Sequence, residues 1–305
     1  MAEGRPAFGI VDAHHHFWDL ERNYLPWLKD EPPIPFRYGD YRPLRRNYLP
    51  ADYARDTAGF AIAGSVFVET EWDRRDPVGE TRWIHEIAAT SGLPSAVVAH
   101  AALDQAEVAE VLGAHAGFPL VRGIRHKPAA AAEPGAVERG APGSMGDPAW
   151  RRGYALLERH GLSFDLQTPW WHLAEAAELA ADFPGTQIIL NHTGLPADRS
   201  PAGLDGWRAA MRRLAEAPNV AVKISGIGVP GRPWTVADNG PIVRDTIATF
   251  GVDRAMFASN FPVDGLVASF ATIFDGFLEI TADLASADRE KLFAQNARRI
   301  YRMGD

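Results

Sequence analysis

Short apolar runs, each closing on a polar residue, alternate along this chain with longer amphipathic stretches. The apolar start of 10–18 and the runs at 64–69, 95–100, 120–125, 163–168, 187–192, 220–225 and 255–260 have the length and branched-chain content of buried strands. Between them, 51–61, 81–89, 105–115, 149–160, 173–182, 204–217 and 241–250 read as helices, and helical stretches follow the eighth run to residue 301. Eight strands alternating with helices predict an α/β fold, a (β/α)8 barrel, as one domain spanning 1–305. An open doubly wound sheet is the alternative, but no Gly-rich phosphate fingerprint follows the first strand.

Two segments break the alternation. Residues 19–50 are irregular and rich in Pro, Tyr, Trp and Arg. A structureless stretch of this length is usually functional, so 25–46 is expected to cover the barrel mouth, with Trp27, Tyr38 or Arg42 in the pocket wall. A packing arm or an oligomer contact is the other reading. The Ala/Pro/Gly-rich stretch 127–147 is expected to be a mobile loop.

Barrel enzymes carry their chemistry at the C-terminal ends of the strands. Those ends here hold His14 and His16, Glu69, His100, Arg125, Asp165 and Gln167, His192, Lys223 and Ser225, and Asn260. The densest stretch is 10–18, Ile-Val-Asp-Ala-His-His-His-Phe-Trp. Strand alternation sends His14 and His16 to one face and His15 to the other, so two imidazoles can grip one metal ion or one substrate oxygen. On the fourth strand Arg122 and Arg125 differ by three and cannot both face inward. Arg125, nearer the end, belongs to the site, and Arg122 is expected to pair with a surface or helix carboxylate. His192 shares a face with Ile188 and Leu190. Plain structural roles compete with these readings: a core histidine at His192 or His100, a barrel-closing salt bridge at Glu69, a solvated lysine at Lys223.

Composition narrows the partners. The 305 residues are 46% hydrophobic, enough for a sizeable core, and a net charge of −8 disfavours nucleic acid and anionic membranes. The chain has no cysteine, which excludes thiolate ligands and nucleophiles and fits a cytoplasmic protein. Residues 1–9 show no apolar leader core, and no run is long enough to span a bilayer. A small-molecule substrate is the expected partner, and a homo-oligomer is left open.

Six motifs appear in order: Asp12-Ala13-His14-His15-His16-Phe17-Trp18, Val121-Arg122-Gly123-Ile124-Arg125-His126, Asn191-His192-Thr193-Gly194, Lys223-Ile224-Ser225-Gly226, Ser259-Asn260-Phe261-Pro262-Val263 and Asn296-Ala297-Arg298-Arg299-Ile300-Tyr301. With them the chain resembles the amidohydrolase superfamily, in the branch that contains sugar lactonases and 2-pyrone-4,6-dicarboxylate lactonase. The resemblance implies a distorted TIM barrel and hydrolysis of a cyclic ester. It assigns His14, His16 and His192 as histidines of the site and as metal ligands where a metal is held, and Arg125 as the arginine closing the fourth strand. The last-strand carboxylate of most members falls on Asn260, and the fifth strand lacks a histidine. Both departures imply no strict metal requirement, with at most a weakly bound divalent ion such as zinc.

In a lactonase, His14, His16 or Arg125 would hold the carbonyl oxygen. Trp27, Glu69, His100, Arg125 and Lys223 would contact the substrate. The base is Asp264, His192 or His100, with Asp264 the first choice. A metal-dependent decarboxylase and a catalytically inactive binding barrel are the competing readings.

Overall fold

The computed structural model describes residues 8–304. Part of the stretch 1–9, read above for a leader, lies outside the described residues. The apolar runs form β1 (Ile10–His15), β2 (Ile62–Val68), β3 (Ala96–His100), β4 (Val121–Arg125), β5 (Ser163–Leu166), β6 (Ile188–Leu190), β7 (Val220–Ile224) and β8 (Ala255–Phe257). They lie in sequence order in one sheet with every neighbouring pair parallel. The sheet closes beyond the end of β8. There Asn260 N–H donates to the His14 carbonyl at 2.7 Å, and His16 N–H to the Phe261 carbonyl at 2.8 Å. This is the (β/α)8 barrel.

Two apolar layers hold it together. Inside the barrel, Val11, Ala13, Val66, Val68, Ala96, Val98, Ile189, Ala221 and Met256 pack on one another, and Ala297, Ile300 and Tyr301 near the C-terminus join them. Small and branched side chains fill a barrel interior without leaving a pore. The opposite faces, with Phe67, Val97, Phe164, Leu190 and Val222, pack against the helices. A fully buried aliphatic side chain contributes about 1.5–3 kcal/mol.

Several boundaries differ from the periodicity. The helix expected at 241–250 runs Val236–Phe250, because the Thr235 side chain caps it by accepting from Asp238 N–H. β6 and β8 stop after three residues each. His192 therefore does not continue the alternation of Ile188 and Leu190. It lies in a tight turn, Asn191–Gly194, at φ 55°.

The segment after β1 contains a short helix, Pro26–Lys29, and a helical turn, Arg42–Leu44. It returns through a bridge between Trp18 and Tyr48. The 127–147 stretch is tied down by Ala129 N–H to the Gly143 carbonyl at 2.9 Å and by Trp171 Nε1–H to the Ala131 carbonyl at 3.0 Å. Arg122 donates to the carbonyls of Pro119, Val121 and Arg302, not to the expected carboxylate. Among the described residues no helix is long and apolar enough to cross a membrane.

Candidate active site

The site begins with an irregularity in β1. Val11 and Ala13 pack inside the barrel, yet His15 pairs in register with Phe67, whose side chain belongs to the outer layer. A register shift between Asp12 and His15 reconciles the two. Such a bulge lets two successive residues face the same way. His14 and His16 are thereby gathered with His192. Ring centroids lie 5.0 Å apart for His14 and His16 and 4.7 Å apart for His14 and His192. His15 turns outward to Ser65 Oγ at 2.9 Å. Asp12 pins the strand to the turn after β8, accepting from Ser259 N–H at 2.8 Å, Ser259 Oγ at 2.6 Å and Tyr53 OH at 2.9 Å. Burial pushes its carboxyl up to about 6, against the pull of the Ser259 bonds.

Each imidazole has a different role available. His16 Nδ1 lies 2.8 Å from the Val68 carbonyl, which can only accept, so Nδ1 carries the proton and Nε2 the lone pair. His192 Nδ1 is held by Ser225 Oγ at 2.9 Å. Gly226, at φ +61°, permits this approach, because a Cβ there would meet His192 Nδ1 at 2.7 Å and an Arg37 nitrogen at 2.8 Å. His14 is fully buried, and neither of its ring nitrogens has a partner. All three rings are neutral at neutral pH. Burial, helped by Arg125, lowers His16 to about 3. Burial and then Lys223 lower His14, while burial and then Arg37 lower His192.

Above the rings is a cavity of about 620 Å³. His16, His192, Arg125, Gln167 and Asn260 form its polar floor, and Trp18, Trp27, Phe36 and Trp72 its aromatic walls. Arg37, Arg74 and Lys127 add cations at the rim, against the two carboxylates Asp30 and Glu71. Glu71, His192 and Asn260 all hold left-handed backbone, at φ 60°, 55° and 56°. Strained φ of this kind clusters at sites where a side chain must be aimed.

Arg125 is held as a fork. Its Nε donates to Glu69 Oε1 at 2.6 Å, one terminal nitrogen to the Glu69 carbonyl at 2.6 Å, and the other to Gln167 Oε1 at 3.1 Å. A guanidinium has five N–H groups, so two remain for a ligand. Burial alone would raise the Glu69 carboxyl, but Arg125 holds it well below the usual range.

Asn260 Nδ2 donates to Asp264 Oδ1 at 2.7 Å. Asp264 also accepts from Tyr38 OH at 2.9 Å, Gly226 N–H at 3.0 Å and Arg37 at 3.4 Å. Burial raises its carboxyl, with Arg37 and Asn260 opposing.

The sequence-derived candidates therefore separate into layers. Arg125, His16, His192, Asn260 and Trp27 line the cavity, and Trp27 is fixed by Nε1–H to the Thr70 carbonyl at 2.8 Å. His14, Glu69, Lys223 and Asp264 are buried and do not line it. Lys223 donates to Asp165 Oδ1 at 2.5 Å, and Tyr301 OH bonds both oxygens of that carboxylate, so the lysine is occupied inside the barrel and is not a substrate contact. Glu69 is likewise spent on Arg125. Asp264, the first choice for the base, takes three donors on Oδ1 and one on Oδ2 and lies behind the cavity lining. His100 lines a second cavity. In the covering segment Tyr38 latches Asp264 and Arg42 pairs with exposed Asp40, so neither lines the wall. Arg37, Arg74 and Trp72 were missed. Arg37 sits in the segment expected as a cover, but no periodicity singles it out from its neighbours.

The rings of His14, His16 and His192 meet, but among the described residues no group of three His, Cys, Asp or Glu side chains is placed to hold a metal ion. Asn260, an amide, lines the cavity beside them, and Lys223 and Arg125 put positive charge near His14.

The chain is similar to known proteins over almost its whole length. It is 42% identical over 294 residues to the Sinorhizobium fredii (strain NBRC 101917 / NGR234) protein y4mH, covering 96% of this chain and 98% of that one. It is 28% identical over 305 residues to an L-fucono-1,5-lactonase of Burkholderia multivorans (strain ATCC 17616 / 249), covering 95% of each. A crystal structure of a Burkholderia multivorans amidohydrolase with bound zinc superposes with a TM-score of 0.79 at 26% identity, covering 97% of this chain and 100% of that chain. The family model described as Amidohydrolase matches residues 11–303, and the chain belongs to that amidohydrolase family.

Proposed function

We propose that this protein hydrolyses a lactone that carries a carboxylate on a flat ring. The observation behind the reading is that the His16 imidazole, with its lone pair on Nε2, and two uncommitted N–H groups of Arg125 belong to one cavity. Water attacks the lactone carbonyl carbon and gives a proton to His16 Nε2. The carbonyl oxygen becomes an oxyanion against Arg125. On collapse the ring C–O bond breaks, and the departing oxygen takes the proton back from His16, giving the open hydroxy acid.

A base lowered to about 3 stays unprotonated at neutral pH but is weak. Part of that depression comes from Arg125, so an oxyanion forming beside the guanidinium offsets it and raises the basicity of His16 as charge develops. His192 faces the same space and can orient the water.

The charge of the cavity supports an anionic substrate. Its lining carries four cations, Arg37, Arg74, Arg125 and Lys127, against two carboxylates, and its aromatic walls suit a flat ring. A zinc ion like that of the Burkholderia structure would find its donors here in the imidazoles of His14, His16 and His192, and would polarise the carbonyl or a water; the roles given above are those of the chain's own groups.

The test is a lactone panel. Carboxylated six-membered lactones should exceed neutral sugar lactones by about ten- to a hundredfold in kcat/KM, the effect of one charged hydrogen bond. His16→Asn keeps a donor for the Val68 carbonyl, removes Nε2, and should lower kcat by about 10²–10⁴. An inert panel, or an unchanged rate in His16→Asn, refutes the proposal. Release of carbon dioxide from aromatic acids would favour the decarboxylase reading instead.

A further inference from the structure

A second cavity, of about 770 Å³, opens beside the first at the ends of β3 and β4. The two share one wall, made of Glu71, Arg74 and Lys127, in which Lys127 Nζ pairs with Glu71 Oε1 at 2.5 Å and Arg74 pairs with the same carboxylate. Two histidines line the second cavity, His100 and His126, with perpendicular rings 5.5 Å apart.

Hydrogen bonding sets both tautomers. His100 Nδ1 lies 3.0 Å from the Arg125 carbonyl, which can only accept, so Nδ1 donates and Nε2 keeps a lone pair. His126 Nδ1 accepts from Leu103 N–H and from Trp150 Nε1–H, each at 3.1 Å, so its proton sits on Nε2. One ring therefore offers an acceptor and the other a donor, and no described residue bonds either Nε2. His100 is 8% exposed and lines the cavity, so its free nitrogen is open to a ligand there. Burial lowers the pKa of both rings, which keeps them neutral.

We propose that this cavity is a binding site for an uncharged, hydroxyl-rich group, a sugar or polyol. A hydroxyl both donates and accepts, so one hydroxyl satisfies His100 Nε2 and His126 Nε2–H together. Further hydroxyls meet Asp104, Gln105 and Glu107. The carboxylates Glu71, Asp104 and Glu107 outnumber Arg74 and Lys127, so an anion is disfavoured here. The charge balance is opposite to that of the first cavity, and the two sites select different groups.

The test reads binding without turnover, so its outcome is separable from the lactonase proposal. Protein labelled with ¹⁵N in its ten histidines is titrated with methyl β-D-glucopyranoside and, separately, with benzoate. The glucoside should shift His100 and His126 saturably while leaving His14, His16 and His192 unmoved, and benzoate should do the reverse. His100→Asn and His126→Asn each preserve a group for the Nδ1 contact and delete Nε2. Each should weaken glucoside binding at least about tenfold, with the remaining histidine spectrum unchanged. No shift up to about 100 mM, well beyond the millimolar affinity of a small ligand, overturns the proposal. So does a glucoside response at His16 and His192, or binding that survives both variants.

Discussion

Asn260→Asp puts a carboxylate where the sequence resemblance implies one, and the structure says what it would cost. The amide nitrogen of Asn260 lies 2.7 Å from Asp264 Oδ1, and both residues are buried. The substitution puts an oxygen where the donor was. Two ionised carboxylates at that separation repel by about 6 kcal/mol at an effective dielectric constant of 20. Placing a proton on one of them at pH 7 costs about 4 kcal/mol from an ordinary aspartate value, so the pair takes up a proton. At pH 5 that cost falls to about 1.5 kcal/mol.

The folded variant then holds one more proton than its unfolded chain above about pH 4. Its stability therefore falls relative to the parent as pH rises, by up to about 1.4 kcal/mol per unit. Urea denaturation of both proteins at pH 5, 6 and 7 measures the difference directly. Zinc replaces the proton as the neutralising charge, so it should bind Asn260→Asp at least about tenfold more tightly than the parent, or about 1.4 kcal/mol, in a competitive chelator titration. Parallel stability curves, with equal zinc affinity, would show that the two side chains do not share this contact, and the reasoning would fail.

Three further outcomes follow from the same geometry. Arg125→Met leaves the buried Glu69 carboxylate with only Glu71 N–H at 2.8 Å and Arg74 at 3.9 Å and should destabilise by about 3 kcal/mol, whereas the double variant with Glu69→Gln should recover most of the stability and none of the turnover, as thermal melts and lactone assays would show. Trp27→Ala removes one aromatic wall and should raise KM about tenfold with kcat nearly kept, and a fall in kcat alone would contradict a binding role. Burial, with Glu69 nearby, raises the Glu80 carboxyl to about 8, so the folded state binds the extra proton, and stability should decline from about pH 4.5 up to 8; Glu80→Gln should flatten that limb in pH-dependent denaturation, and an unchanged slope would exclude Glu80 as its source.

The barrel was legible because its strands are buried on both faces, and an apolar run ending on a polar residue marks such a strand without further context. The same property made Arg125, His16 and His192 visible as site residues, since each lies at or just past a strand end. What periodicity could not reach was the backbone after the strand. His192 enters the cavity through a left-handed turn, and Asn260 through another, so alternation says nothing about where either side chain goes.

Nor can a linear pattern show which charges are already paired. Lys223 and Glu69 looked like substrate contacts because each ends an apolar run. The partners that occupy them, Asp165 with Tyr301 for one and Arg125 for the other, come from 58, 78 and 56 residues away along the chain. The partners of Asp264 were hidden for the same reason, since Tyr38 and Arg37 arrive from the opposite end of the sequence. Burial raises the Asp264 carboxyl, while these donors pull the other way and hold it behind the cavity lining. The tautomer of His16 is set by the Val68 carbonyl, a backbone atom, and backbone partners leave no trace in side-chain patterning.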